Sequence, residues 1–134
     1  MTNSGAADPV PSLLEHTGRT KRKSKLIDWM NAMAPSRAKW MDRNDYYYQE
    51  HYRYLRFLVP EGLRVLDLGC GLGGQLAALK PSYGVGVDIS SAMITIAQDR
   101  HPDHEFVTGD IEDPDVLAAL EGPFDVIILS DTIG

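Results

Sequence analysis

The chain has 134 residues, 43% of them apolar and 24% charged, and a net charge of −6. That is room for one domain with a real core, and it excludes global disorder. Its longest wholly apolar runs, such as Val126-Ile127-Ile128-Leu129, fall far short of the roughly 20 residues of a membrane-spanning helix, and the single Cys70 excludes an internal disulfide or a Cys-rich zinc site. Met1–Gly5 has no basic-then-apolar leader pattern, so the expectation is a cytoplasmic protein with no membrane span and no metal site. The charge is unevenly spread. Residues 1–60 hold 10 Lys/Arg against 6 Asp/Glu, and residues 61–134 hold 3 against 13. The acidic half repels polyphosphates at long range and tolerates cationic ligands.

Residues 1–25 are polar, carry Pro9 and Pro11, and end in Arg19-Thr20-Lys21-Arg22-Lys23-Ser24-Lys25; they are expected to form a solvated tail. Residues 26–60 are expected to be N-terminal helices. The first starts near Ser24, carries Leu26, Ile27, Trp29, Met30 and Met33, and is expected to stop at Ala34-Pro35. The second runs from Asp42 or Asn44 to Leu58, with Tyr47, His51, Tyr54 and Leu58 as its packing stripe. From 61 to 134 the texture is that of an α/β half-domain. Strands are predicted at Arg64–Leu68, Tyr83–Val87, Glu105–Val107 and Phe124–Leu129, with helices at Gln75–Leu79, Ser90/Ser91–Arg100 and Asp115–Leu120. Right-handed crossovers make this a Rossmann-like parallel sheet of strand order 3-2-1-4, truncated after strand four.

The crevice of such a sheet lies at the carboxyl ends of its strands, where the order reverses. Asp67 and the loop Gly69-Cys70-Gly71-Leu72-Gly73-Gly74 follow strand one, Asp88 strand two, Asp110 strand three, and Ser130 and Asp131 strand four. The loop satisfies G-x-G-x-x-G, and Asp88 stands 19 residues after Gly69, the spacing of a ribose-binding acid. A nicotinamide or flavin cofactor fits that pattern as well. A pyrophosphate, however, prefers a helix N-terminus free of carboxylates. Three acids around one crevice suit a ligand with an ammonium, a sulfonium, a ribose diol and an exocyclic amine, the groups of S-adenosylmethionine.

Val65-Leu66-Asp67-Leu68-Gly69-Cys70-Gly71-Leu72-Gly73 resembles motif I of the class I S-adenosylmethionine-dependent methyltransferases. Gly86-Val87-Asp88-Ile89-Ser90, Gly109-Asp110-Ile111-Glu112 and Phe124–Ser130 resemble their following motifs, so the likeness covers about residues 44–134. Leu72 departs from the Thr or Ser common in that family. The resemblance implies S-adenosylmethionine as cofactor. Gly69, Gly71 and Gly73 would admit the methionyl moiety, Asp67 would orient its ammonium, and Asp88 would accept the ribose hydroxyls. Asp110 would face adenine N6, the Ile111 backbone the ring edge, Ile89 the adenine or ribose, and the Ser130 backbone the methionyl group. The family fold has seven strands, so a fragment lacking the acceptor-binding half, completed by missing C-terminal strands or a fused domain, is expected.

The acceptor is expected to be a small or conjugated molecule. Ser130-Asp131-Thr132-Ile133 is not the Asn/Asp-Pro-Pro-Tyr type of amino-methylating nucleic-acid enzymes, which with the acidic half argues against nucleic acid. No catalytic side chain stands out: Asp131 is a base or a helix cap, Cys70 an apolar filler, His51 a packing residue, and His16, His101 and His104 are solvated. Tyr46 and Tyr48 are lid or packing residues. The alternatives are a nicotinamide-dependent oxidoreductase domain and a module that binds the cofactor without turnover.

Overall fold

Aliphatic runs ended by glycine or aspartate suit buried parallel strands, and four of them pair in the computed structural model, which describes residues 21–129. They are β1 (Arg64–Leu68), β2 (Tyr83–Asp88), β3 (Glu105–Thr108) and β4 (Val126–Leu129), all parallel and in the order β3-β2-β1-β4 expected from the crossovers. The helices are α1 (Lys21–Arg43), α2 (Asp45–Leu58), α3 (Gly74–Ala78), α4 (Ser91–Arg100) and α5 (Pro114–Ala118). Asp67 pairs with Gly86 on one side and Ile128 on the other, in the middle of the sheet.

Strand alternation splits the core between two faces. Val65 joins Leu76, Leu79, Ile94, Ala97 and Phe106 on the face covered by α3 and α4, with Val126 and Ile128 packed against them. Leu66, Val85 and Val87 lie on the other face, with Val116 and Leu120 over them. Among the described residues the apolar β4 is packed on one face only: Val126 and Ile128 meet the core, while Ile127 and Leu129 remain 61% and 55% exposed. Helix starts follow local chemistry. Ser90 Oγ accepts the Met93 N–H at 3.2 Å, and Asp113 accepts the Asp115 N–H at 2.9 Å ahead of Pro114.

The N-terminal helices correct the sequence reading in three places. Lys21–Lys25 do not end a tail; they are the first turn of α1. Residues 1–20, with His16, lie outside the described residues. Nor does Pro35 stop the helix, which continues to Arg43. An interior proline costs about 3 kcal/mol, since it offers no N–H to the Asn31 carbonyl. Tertiary contacts offset it: Ala34 and Ala38 bury against Leu72 and Met93, and Asn31 Oδ1 accepts the Ser90 hydroxyl at 2.6 Å and the Ala92 N–H at 3.1 Å. Finally, the packing stripe of α2 is displaced by one residue. Tyr47 and Tyr54 are 66% and 60% exposed, whereas Tyr52 is buried and Leu55 and Val59 pack on the core.

Two histidines expected in solvent are not there. His104 Nδ1 is buried, and the His101 ring lies 6.5 Å from that of Phe106. Burial, aided by the nearby His104 and Arg100, lowers the His101 pKa below its ordinary 6.5. The folded chain therefore holds His101 neutral while the unfolded chain already binds a proton. Stability attributable to His101 is complete above pH 6.5 and is lost as pH falls from there toward the lower folded value. His101→Asn is expected to lose less melting temperature between about pH 7.5 and about pH 5.5 than the unmodified chain. An equal acid-induced drop would show that His101 does not contribute.

Candidate functional site

The turn after β1 is built on backbone hydrogen bonds and positive φ angles. Gly69 and Cys70 donate their N–H groups to the Val87 carbonyl at 2.7 and 3.0 Å, which bends the chain across the end of β2. Gly69, Gly71 and Gly73 have φ of 81°, 54° and 84°, the left-handed region that other residues enter at a cost of about 1–2 kcal/mol. Gly71 and Gly73 then differ. A Cβ at Gly71 would meet nothing within 4 Å, whereas one at Gly73 would stand 2.8 Å from the Phe106 ring. Gly73 is thus required by packing. Leu72, the departure from the family pattern, is buried with Ala34, Ala38 and Met93 and ties the loop to α1.

The open space at Gly71 belongs to a cavity of about 560 Å³, which Asp67, Gly69 and Asp88 also line. Asp67 is fully buried beneath the loop. Asp88 is held from two sides: its Oδ2 accepts the Gly71 N–H at 2.9 Å and its Oδ1 the Ser90 N–H at 3.0 Å. Each carboxylate oxygen has two lone pairs, so acceptor capacity remains for a ligand hydroxyl. Ser90 caps α4.

Four predicted site residues therefore converge on one cavity: Asp67, Gly69, Gly71 and Asp88. Gly73, Ile89, Asp110 and Ile111 do not line it. Ile89 sits half-buried between Asp88 and Ser90. Asp110 follows β3 next to the end of β2, where the Gly109 N–H bonds the Asp88 carbonyl at 2.9 Å. The Ile111 side chain packs with Val116 and Leu120 on the opposite face of the sheet. Ser130 and Asp131 lie outside the described residues.

The wall facing the loop was not foreseen as a whole. Trp29, Met33, Arg37 and Trp40, on one face of α1, line the cavity together with Tyr48, His51 and Tyr52 of α2. Their i, i+4, i+8, i+11 spacing was readable, but Pro35 in its middle hid it. Of the two lid candidates, Tyr48 lines the cavity, with Trp40 edge-on at 6.1 Å, while Tyr46 is 79% exposed and does not. Burial raises the Tyr52 hydroxyl above 10.0, helped by Tyr48, Asp45 and Asp67, so it stays protonated at neutral pH. Burial likewise pushes the Cys70 thiol far up, with Asp67 and Asp88 adding to it. That makes Cys70 a filler and not a nucleophile.

A side-chain relay crosses from α2 to β1. Gln75 Nε2 donates to Asp67 Oδ1 at a long 3.4 Å, and Gln75 Oε1 lies 3.1 Å from His51 Nε2. The carboxylate only accepts, so it fixes which end of the amide faces it. His51 must then carry a proton on Nε2 to donate to Oε1. Gln75→Leu is expected to cost about 1–3 kcal/mol by removing a donor to the buried Asp67 and to erode the Nε2–H tautomer. Nitrogen chemical shifts of His51 check this; an unchanged tautomer would sever the relay.

The sequence matches the family described as a methyltransferase domain over residues 65–134. It is 38% identical over 80 residues to dTDP-4-amino-2,3,4,6-tetradeoxy-D-glucose N,N-dimethyltransferase of Saccharopolyspora spinosa, covering 58% of this chain and 30% of that protein. Over 57 residues it is 40% identical to the 18S rRNA (guanine-N(7))-methyltransferase of Mus musculus, covering 40% of this chain and 20% of the relative. A chain in the solved complex between the Haloferax volcanii Trm112 methyltransferase activator and a methyltransferase superposes with a TM-score of 0.52 at 33% identity, over 63% of this chain and 40% of that one. This chain therefore spans less than half the length of each.

Proposed function

The chain belongs to the methyltransferase-domain family, class I and S-adenosylmethionine-dependent, and from that premise we propose that its crevice serves transfer of the cofactor's methyl group to a small or conjugated acceptor. The observation that carries the reading is one cavity in which buried Asp67 and Asp88 flank a glycine whose missing side chain leaves open space. An ammonium and a ribose diol fit two carboxylates; a pyrophosphate does not. The nicotinamide alternative finds no support among the relatives.

When bound, S-adenosylmethionine supplies a methyl group already activated by its sulfonium. The chain's own residues bind, orient and exclude water. Asp88, fixed by the Gly71 and Ser90 N–H groups, is assigned the ribose hydroxyls. Asp67 is assigned the methionyl ammonium, and the Gly69 and Gly71 backbone the chain beside it. Asp110 is assigned the adenine amine, with the Ile111 backbone at the ring edge, Ile89 against the ring or ribose, and the Ser130 backbone near the methionyl group. Trp29, Trp40 and Tyr48 give the outer wall aromatic surface that attracts a cation and sheds water.

A small-molecule acceptor is favoured by the sugar-nucleotide relative and by the acidic character of residues 61–134. The rRNA-methylating relative supports an RNA acceptor as the second reading. Among the described residues no helix is long and apolar enough to cross a membrane. Transfer of radiolabelled methyl from S-adenosylmethionine to a panel of amino-sugar nucleotides and to total RNA separates these readings. In a chain completed by the acceptor-binding half, label in the sugar nucleotides is the expected result, and label in RNA alone would overturn the small-acceptor reading. Tight cofactor binding with no transfer to either would favour a binding module.

A further inference from the structure

Helix α1 is held from within. Asn31 bonds Ser90 and Ala92, Lys23 Nζ lies 2.7 Å from Asp110 Oδ2, and Asp42 accepts from Arg100 at 3.1 Å. Ile27, Ala34 and Ala38 take its buried side. That fixes which residues face outward. Leu26, Trp29, Met33 and Trp40, at i, i+3, i+7 and i+14, form an exposed apolar stripe about 21 Å long. Both indoles touch the cavity, yet they are 60% and 47% exposed. Lys21, Lys25, Lys39 and Arg43 run along one flank of the stripe and Arg37 along the other, all exposed. Among the described residues none of these five cations is in an ion pair. Asp28, the other acid of α1, lies beyond the lysine flank, on the side away from the stripe.

We propose that this face of α1 docks on an anionic lipid surface, lying in the plane of the headgroups with the mouth of the crevice beside it. The docking is independent of the cofactor reading. Charge complementarity selects the occupant. α1 carries 7 Lys/Arg against 2 Asp/Glu, whereas residues 61–134 hold 3 against 13. An anionic plane therefore attracts this side of the molecule and repels the other, which sets the orientation. The residue pattern is that of an interfacial helix, an apolar stripe with tryptophan bordered by lysine and arginine. The methylene stems of those cations lie along the apolar layer while their charged ends meet the headgroups. Nucleic acid fits less well: bases stack on indoles, but Leu26 and Met33 gain no apolar partner from a phosphate backbone. A second copy fits less well too. A symmetric contact through this stripe would set the cations of one copy beside those of the other.

Trp29 and Trp40 are the only tryptophans in the chain, so intrinsic fluorescence reads this stripe directly. The probe is unilamellar vesicles of phosphatidylcholine, alone or mixed with phosphatidylglycerol, in about 0.1 M salt, where charges are screened over about 10 Å. The chain is expected to co-sediment with the mixed vesicles and not with the neutral ones. Its emission should shift to the blue and be quenched by brominated acyl chains. Lys25→Gln combined with Lys39→Gln, neither of which lines the cavity, is expected to weaken adsorption at least tenfold, at about fivefold per cation. Leu26→Gln, on the stripe itself, should weaken it about threefold to tenfold. Each variant is checked for folding by circular dichroism, and Lys25→Gln alone serves if the double variant does not fold. Adsorption to neither vesicle, equal adsorption to both, or undiminished adsorption of the folded variants overturns the inference. So does adsorption without a blue shift, because charge alone then holds the chain and the stripe stays in water. Binding to poly(U) with no adsorption to vesicles would make this a nucleic-acid surface and overturn the lipid reading. Self-association that Leu26→Gln abolishes, again with no adsorption, would make it a contact between copies and overturn it equally. Calorimetry with S-adenosylhomocysteine tests the cofactor reading separately, whichever of these results is found.

Discussion

Gly71→Val is expected to reduce S-adenosylhomocysteine binding beyond detection by calorimetry while leaving the chain folded. Two effects separate at this position. The first is local: φ of 54° is poorly tolerated by a β-branched residue, and the strain amounts to about 1–2 kcal/mol. That is a fraction of the roughly 5–15 kcal/mol that holds a domain together. The second is steric. The new side chain starts in space with nothing within 4 Å and projects into the cavity lined by Asp67 and Asp88. Gly71→Ala should fall between, with similar strain and a smaller obstruction. The matching change at Gly73 behaves differently, since a Cβ there strikes Phe106 in the core. Gly73→Ala should destabilise the fold before it touches binding. Normal cofactor affinity in a folded Gly71→Val chain would mean that the cavity at Gly71 is not where the ligand lies.

Asp88→Ala is expected to weaken both binding and stability. Removing the acceptor assigned to the ribose costs about 1.5–3 kcal/mol, roughly tenfold to 150-fold in affinity. The same change strips the partners from the Gly71 and Ser90 N–H groups, bonded at 2.9 and 3.0 Å. Ser90 is buried, so its N–H finds no water in exchange. Leaving such donors unpaired costs about 1–3 kcal/mol each. Calorimetry and urea unfolding on the same preparation measure the two losses. Unchanged affinity would remove Asp88 from the cofactor site, and unchanged stability would contradict its structural bonds. Asp88→Asn retains one acceptor oxygen and should fall between the two.

The sheet was legible because its determinants are local. β1 to β4 announce themselves by aliphatic runs ended by Gly69, Asp88, Gly109 and the residues after Leu129, and handedness then leaves one order for them. Asp67, Gly69, Gly71 and Asp88 were legible for the same reason, since each stands at a strand end. What sequence could not give was set by contacts remote along the chain. Pro35 signals a helix end in any window of ten residues, and it is overruled only by Asn31, Ala34 and Ala38 meeting α4 and Leu72. The tyrosine-rich α2 offers several aromatic stripes of equal local merit. Tyr52 is buried in preference to Tyr47 because of where α2 meets Gly74, beside which the Tyr52 hydroxyl lies. Lys23 read as one more solvated cation, and its bond to Asp110 spans 87 residues.

The central claim is that the acidic crevice at the end of β1 and β2 is a site for S-adenosylmethionine. Isothermal calorimetry of the unmodified chain with S-adenosylhomocysteine and, separately, with NAD tests it most directly. The account predicts a Kd near 1 μM for S-adenosylhomocysteine, about −8 kcal/mol, and no binding heat from NAD at about a hundredfold higher concentration, because the pyrophosphate would meet Asp67 and Asp88. Binding of NAD in preference to S-adenosylhomocysteine, or a folded chain that binds neither, would contradict it.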